Sequence, residues 1–245
     1  MDPTRPSPGF AVLRSPAEIK AARLRLRQLG IDCTSSPLRR RLRRWGLLGG
    51  MSVGDTIKSW DVLKTVDLLR ETLPRDAPLL DIGAFASEVP CALYRAGFVN
   101  LSGVDLDPRV TEMPNADSIR YVVGDFMATP FADASFSAIT AISVIEHGFD
   151  GVRLLTEVSR LLRPGGLFVA SVDYWEAKID TAGIKAFGLD WRIFSREEIL
   201  AFFRDAEADG LHATGPANFS CDQRVIHWSD RHYTFGWMSL RKASP

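Results

Sequence analysis

Apolar positions along the chain change period near residue 78. Before that point they recur at helical spacing. Ile19, Ala22, Leu26 and Leu29 follow Ser15, Pro16 and Glu18, an N-cap, first-turn proline and capping-box pattern that predicts a helix running to about Leu29 and stopped by Gly30. Leu38, Leu42 and Trp45 share one face of a second predicted helix, about 37 to 48, closed by Gly49 and Gly50. A third stretch, Ile57 to Leu73, turns Trp60, Leu63, Val66 and Leu69 inward. Residues 1 to 14, rich in Pro and polar groups, carry no such period and are expected to lack fixed structure.

From Pro78 onward short apolar runs alternate with helical patterns, the signature of βαβ units and a parallel sheet. Strands are expected at 78 to 83, 100 to 105, 119 to 123, 136 to 142 and 166 to 172. Helices are expected near 87 to 96, 108 to 113 and 151 to 162, the last with Val152, Leu155, Val158 and Leu162 on its apolar face. A further helix follows Ser195 and Glu198, a second capping-box pair, with Ile199, Phe202 and Phe203 apolar. The tail offers strands at about 211 to 216 and 233 to 241, and without a long helix between them the last is expected to insert antiparallel. No internal repeat stands out.

The chain has 245 residues, 46% of them apolar, enough for one sizeable core. Its zero net charge hides a division: residues 1 to 50 hold eleven Lys/Arg against three Asp/Glu, and the remainder carries the compensating negative excess. Arg39, Arg40, Arg41, Arg43 and Arg44 concentrate the basic charge on an amphipathic segment, a pattern suited to peripheral contact with anionic lipid or to a solvated lid. RNA binding would lack a recognisable RNA module or aromatic interleaving there, so nucleic acid is not the expected partner. Cys33, Cys91 and Cys221 form no CxxC pair, which argues against a disulfide framework or a zinc site and for a reducing compartment, with Cys91 read as a small buried hydrophobe. No apolar run approaches the roughly 18 residues of a spanning helix, and a cytoplasmic address is expected.

In an open parallel sheet, ligands bind beyond the carboxyl ends of the strands, near the point where strand order reverses. Here those ends carry Asp81-Ile82-Gly83, Asp105, Gly124-Asp125-Phe126, Ile145-Glu146-His147 and Asp173-Tyr174-Trp175. Taken with LLDIGA at 79 to 84, GVDLDP at 103 to 108, VVGDFMATPF at 122 to 131, FSAITAISVIEH at 136 to 147 and EVSRLLRPGGLFVAS at 157 to 171, the chain from about residue 60 onward resembles class I S-adenosylmethionine-dependent methyltransferases of the UbiE-like, or type 11, group. Gly83, Asp105, Asp125 and Glu146 follow one another at steps of 22, 20 and 21, an order more telling than any one motif.

The resemblance implies an α/β fold: a Rossmann-like, doubly wound, seven-stranded and mostly parallel sheet with an antiparallel last strand, occupying 57 to 245 behind a basic helical extension, 1 to 56. It implies S-adenosylmethionine as cofactor. Asp105 would accept from both ribose hydroxyls, with Leu106 beside it. Asp125 and Phe126 would meet the adenine amine and ring face. Gly83 and Ala84 would let the methionine end approach backbone, with Asp81 supporting the turn. Glu146, Asp173, Tyr174 and Trp175 would line the acceptor site, with His147 as candidate general base and no metal. Asp107, ahead of Pro108, reads instead as a helix N-cap.

One motif departs from the family. The usual acidic-x-Gly-x-Gly-x-Gly becomes Asp81-Ile-Gly83-Ala-Phe85-Ala-Ser87, with Phe85 and Ser87 at the second and third glycine positions. The same loop argues against dinucleotide binding, which needs the GxGxxG backbone approach. The expected reaction is methyl transfer to a hydroxyl on a small-molecule or glycan-like acceptor. Two alternatives remain: a methyltransferase-fold binding or scaffold protein whose Phe85 fills the cofactor cleft, and an RNA methyltransferase.

Overall fold

The computed structural model describes residues 8–35, 41–42, 45, 47 and 51–244. Its main sheet runs in the order β4 (Ile119–Val123), β3 (Leu101–Asp105), β2 (Leu79–Ile82), β5 (Phe136–Ile142), β6 (Leu162–Tyr174), β11 (Arg231–Lys242), β1 (Phe10–Val12). The strands from β4 to β6 pair in parallel, and β11 enters antiparallel to β6. Strand order reverses between β2 and β5, which sets the ligand crevice there.

Seven strands form the path, but the sheet has nine. The outer edge of β11 takes three short antiparallel partners: β1 against Gly236–Met238, β9 (Leu211–Ala213) against Leu240–Lys242, and β10 (Ile226–Trp228) against Arg231–Tyr233. A separate hairpin, β7 (Lys185–Ala186) and β8 (Leu189–Asp190), leaves the sheet after β6.

Successive strand residues point to opposite faces and so build two cores. On one face Leu80, Ile82, Phe168, Ala170 and Val172 meet α4 (Gly151–Leu161) and α5 (Arg196–Ala208) through Leu154, Leu155, Val158, Ile199 and Phe202. On the other, Leu79, Leu101, Ala138, Leu167 and Val169 meet α1 (Pro16–Gln28), α2 (Ser59–Thr72) and α3 (Val89–Arg95) through Leu26, Val62, Val66, Leu69 and Leu93. Trp237 of β11 is tied to this layer by a 3.0 Å bond from its indole N–H to the Thr65 hydroxyl.

Several local expectations change in the folded chain. Residues 10–12, within the stretch expected to lack fixed structure, form β1; Phe10 is fully buried, 5.3 Å edge-to-face from Tyr174 and 4.8 Å stacked on Phe219. The Ser15–Glu18 box does not close: Ser15 makes no side-chain cap, and Glu18 instead accepts the Arg14 N–H at 3.0 Å. The Ser195–Glu198 box does close. Helix α4 is rotated by about one position from its expected phase, so Val152 is 75% exposed while Leu154 and Leu161 are buried. Asp107 caps the 3-10 turn Pro108–Glu112, as its place before proline indicated. The predicted helix at 37 to 48, with Arg39, Arg40, Arg43 and Arg44, lies largely outside the described residues; within it Arg41 stacks over Trp45 at 4.4 Å.

Candidate functional site

At the end of β2, Asp81 is almost fully buried. Its Oδ1 accepts from the Thr140 hydroxyl, whereas Oδ2 has no partner. Burial pushes its carboxyl up to about 7, against the bond from the Thr140 hydroxyl. The chain then turns through Gly83 at φ +70, where a Cβ would lie 2.4 Å from the Val144 side chain, so the β2 and β5 ends can close on each other only over a glycine. Gly83 and Ala84 both donate N–H to the Val104 carbonyl.

Asp105, at the end of β3, holds the loop down. Its Oδ2 accepts the Phe85 N–H at 2.9 Å and its Oδ1 the Asp107 N–H at 2.8 Å, which fixes the carboxylate while leaving lone pairs on both oxygens. The Phe85 ring lies under the Arg109 guanidinium at 4.5 Å and packs on the cluster of Val53, Ala84, Cys91, Val110 and Met113. Ser87 accepts the Val89 N–H, capping toward α3. Leu106 is 56% exposed and Phe126 half-buried, leaving apolar surface on either side. Asp125 is already engaged: Oδ1 takes the Met127 N–H and Oδ2 the Arg153 guanidinium at 2.9 Å.

Beyond β5 and β6 lies a set of buried acids. Glu146 is 1% exposed with Oε2 unpartnered, and Asp173 is 5% exposed with Oδ2 accepting the Trp191 indole N–H at 2.7 Å. Burial first, then the Asp173 charge, raises the Glu146 carboxyl well above its ordinary value; burial lifts Asp173 to about 7 against the Trp191 bond, the Lys58 charge and the nearby Tyr233 hydroxyl. Asp61, in the first turn of α2, completes the group, its Oδ2 accepting the Ser171 hydroxyl at 2.8 Å and its carboxyl raised to about 6 by burial. Lys58 is the cation whose field reaches all three. His147 is half-buried with Nδ1 unpartnered, and burial, then Lys58, lowers it to about 4.

The hairpin is laid along this site. Gly148 donates N–H to the Asp190 carbonyl, Arg192 donates N–H to the Glu146 carbonyl, and the exposed Phe187 ring meets His147 edge-on at 5.3 Å. Trp191 meets Trp228 of β10 at 4.7 Å. The two-residue alternation of β6 divides the Asp173-Tyr174-Trp175 set: Asp173 and Trp175 turn toward this side, whereas Tyr174 is fully buried in the opposite core and donates its hydroxyl to the Phe219 carbonyl. Tyr174 therefore does not line the site. Asp61, Lys58, Trp191 and Tyr233 lie outside the expected set: the helical period turned Trp60 and Leu63 inward, whereas the fold leaves these two partly exposed and buries Asp61, Val62 and Thr65. Among the described residues no group of three or more His, Cys, Asp or Glu is placed to hold a metal ion, and no helix is long and apolar enough to cross a membrane.

Residues 80–170 match the family model described as a methyltransferase domain. A curated methyltransferase of Mycobacterium sp. (strain KMS), itself uncharacterized, is 36% identical over 107 residues, which span 43% of this chain and 42% of that protein. The 27-O-demethylrifamycin SV methyltransferase of Amycolatopsis mediterranei (strain S699) is 29% identical over 113 residues, 42% of each chain. The match thus spans less than half the length of these relatives. Among solved structures, the geranyl diphosphate C-methyltransferase of Streptomyces coelicolor A3(2) superposes with a TM-score of 0.54 at 17% identity, over 85% of this chain and all of that one. The [4+2]-cyclase SpnF gives 0.55 at 16%, over 97% of this chain and all of that one, a likeness of fold alone. The strand order, the residues at the strand ends and the family match agree: residues 80–170 form a methyltransferase domain of the S-adenosylmethionine-dependent kind.

Proposed function

We propose that the chain transfers a methyl group from S-adenosylmethionine to a hydroxyl of a small organic or glycan-like acceptor. The observation that carries this reading is the adjacency, across one strand reversal, of a cofactor-type end and a buried acid set. The residues present fit the cofactor. Asp81 Oδ2 is a buried acceptor without a partner, of the kind an ammonium satisfies, and Asp105 is held rigid with acceptor capacity for two vicinal hydroxyls. Leu106 and Phe126 would cover the adenine faces. The Phe85 ring, seated under Arg109, favours the enzyme over the scaffold reading. When bound, the cofactor supplies a sulfonium-activated methyl group open to direct displacement.

The protein's share is alignment and proton removal. A hydroxyl placed beyond β5 meets an unprotonated His147 and a carboxyl pair. The pair, with Asp173 poised near 7, is better matched to neutral pH than an imidazole lowered to about 4. We assign His147 to accept and orient the hydroxyl and the Glu146–Asp173 pair to take its proton. Exposed Phe187 and Trp228 offer ring faces for an apolar or sugar ring. Relatives named for a rifamycin and a phytyl hydroquinone, and an O-methyltransferase of Aspergillus nomiae, support an organic acceptor.

Calorimetric titration with S-adenosylmethionine and S-adenosylhomocysteine tests the cofactor site. Asp105→Asn, which keeps the side-chain size but turns one accepting oxygen into a donor, should weaken binding by about 10- to 100-fold if one or two hydrogen bonds to a charged acceptor are lost. No binding by the folded wild-type chain would overturn the reading. Transfer of labelled methyl to hydroxylated and amine acceptors then tests the acceptor atom.

A further inference from the structure

Cys33 and Cys91 lie far apart in sequence, on separate elements, and meet in the fold. Cys33 follows α1, and its backbone N–H donates to Glu88 at 3.0 Å. Cys91 lies in α3, 2% exposed, its thiol 3.9 Å from the Pro114 carbonyl. The Cys33 thiol donates to the Ile31 carbonyl at 3.3 Å and packs against the apolar cluster of Val53, Ala84, Cys91 and Met113, near enough for each thiol to shift the other's ionisation. Both also wall one cavity of about 410 Å3, with Arg95, Met51 and Asn115 among its other lining residues. Both cysteines therefore border one apolar cluster and one space that a small oxidant can enter.

Their surroundings make them unequal. The neighbouring Cys33 thiol lowers the Cys91 thiol against its burial, helped by the Tyr121 hydroxyl and the Arg95 charge. The proximity of Cys91, together with burial, raises Cys33. Cys221, the remaining cysteine, is raised by burial to about 11 and belongs to neither the cluster nor the cavity. One member of the pair is thus the attacking thiolate and the other the resolving thiol, while Cys221 serves as an internal reference.

We propose that Cys33 and Cys91 form a peroxide-driven, reversible disulfide that fastens the segment after α1 to the helix following the Gly83–Ser87 loop. The Cys91 thiolate attacks one oxygen of hydrogen peroxide, the O–O bond breaks, and sulfenic acid and hydroxide result. The hydroxide is neutralised by the proton Cys91 gave up. The Cys33 sulfur then displaces water from the sulfenic sulfur, its own proton leaving with that water. In total two thiols and one peroxide become one disulfide and two waters, each sulfur losing one electron and each peroxide oxygen gaining one. This inference does not depend on the methyl-transfer reading.

The test uses the full-length reduced chain exposed to a small excess of hydrogen peroxide, followed by alkylation, digestion and mass mapping. The expected result is a Cys33–Cys91 cross-linked peptide, a fall in free thiols from the three present to one, and full reversal by dithiothreitol. In Cys33→Ser, oxidation should stop at a dimedone-reactive sulfenic acid on Cys91 with no cross-link. Oxidation of Cys221 ahead of the pair, an intermolecular disulfide as the main product, or separate conversion of Cys33 and Cys91 to sulfinic acid would each overturn the proposal.

Discussion

The Arg23–Glu88 pair gives the fold's sharpest quantitative test. Arg23 of α1 is 6% exposed and Glu88, just after the Gly83–Ser87 loop, 3%. The guanidinium meets the carboxylate fork to fork, at 2.7 and 2.8 Å, and also donates to Asp32 at 2.8 Å and the Ser59 hydroxyl at 2.9 Å. Burial opposes the Arg23 charge, but these bonds outweigh it and hold the guanidinium above its ordinary value. Removing one partner of such a pair strands the other, at a cost of roughly 3–5 kcal/mol. Because Asp32 remains in Glu88→Gln, the low end applies, about 3 kcal/mol, or on the order of 10 °C in Tm for a chain of this size. The double variant Arg23→Met with Glu88→Met leaves no charge stranded and should return to within about 1–2 kcal/mol of wild type. Urea unfolding followed by circular dichroism, with Arg23→Met and Glu88→Met alone completing the double-mutant cycle, checks both. A single variant costing less than about 1 kcal/mol, or a double costing the sum of the two singles, would refute the reasoning.

Gly83→Ala meets two penalties: about 1–2 kcal/mol for a left-handed φ and about 1–3 kcal/mol for a Cβ driven into Val144; it should lower stability and abolish S-adenosylhomocysteine binding, as calorimetry would show. Stability should fall as pH rises from about 4.5 to 7, because Asp61, Asp81 and Asp173 keep protons in the folded state to about 6 or 7 that the unfolded chain has already released. His147, lowered to about 4, works in the opposite sense up to about 6.5; the expected net is a lower urea midpoint at pH 7.5 than at 5, flattened in Asp61→Asn, and a higher midpoint at 7.5 would contradict it. In the transfer assay, Asp173→Asn should lower kcat by about 10²–10⁴-fold and erase a rate rise near pH 7, whereas His147→Ala should keep that rise at reduced rate.

What could be read from the chain was what local pattern decides. Strands β4 and β5 emerge at the residues expected, 119–123 and 136–142, because strands of a covered parallel sheet are apolar runs bounded by polar turns. The acids at the strand ends were visible for the same reason: each interrupts such a run. What escaped depends on which surfaces meet. A three-residue strand between prolines has no period to detect, so β1 was unreadable, although Phe10 anchors a whole aromatic cluster. Tyr174 and Trp175 are equivalent in sequence, and only the sheet's packing sends one to the core and the other toward the hairpin. The Arg23–Glu88 pair spans 65 residues, and the Cys33–Cys91 contact is of the same kind. His147 drew notice as an imidazole at a strand end; its burial, which weakens it as a base, is a tertiary property.

The altered loop ties these threads to the question of where the functional unit begins. Among its residues positive φ falls on Gly83 and Ala86, so Phe85 and Ser87 occupy positions that need no glycine. The loop is braced from outside: Gly54 donates N–H to the Ala86 carbonyl at 2.8 Å, Cys33 donates to Glu88, and Arg23 clamps the same carboxylate. Arg23, Cys33 and Gly54, all ahead of residue 57, therefore brace the loop and the start of the helix after it. A fragment comprising 57–245 would strand the Glu88 charge, at about 3–5 kcal/mol, and empty the sites of Phe10, Leu26 and Ile31, each worth about 2–5 kcal/mol. That total reaches or exceeds the 5–15 kcal/mol typical of a folded domain. Expressed alone, the fragment should show neither a cooperative unfolding transition nor cofactor binding. A 57–245 fragment that unfolds cooperatively and binds S-adenosylhomocysteine as the full chain does would show that the brace is dispensable.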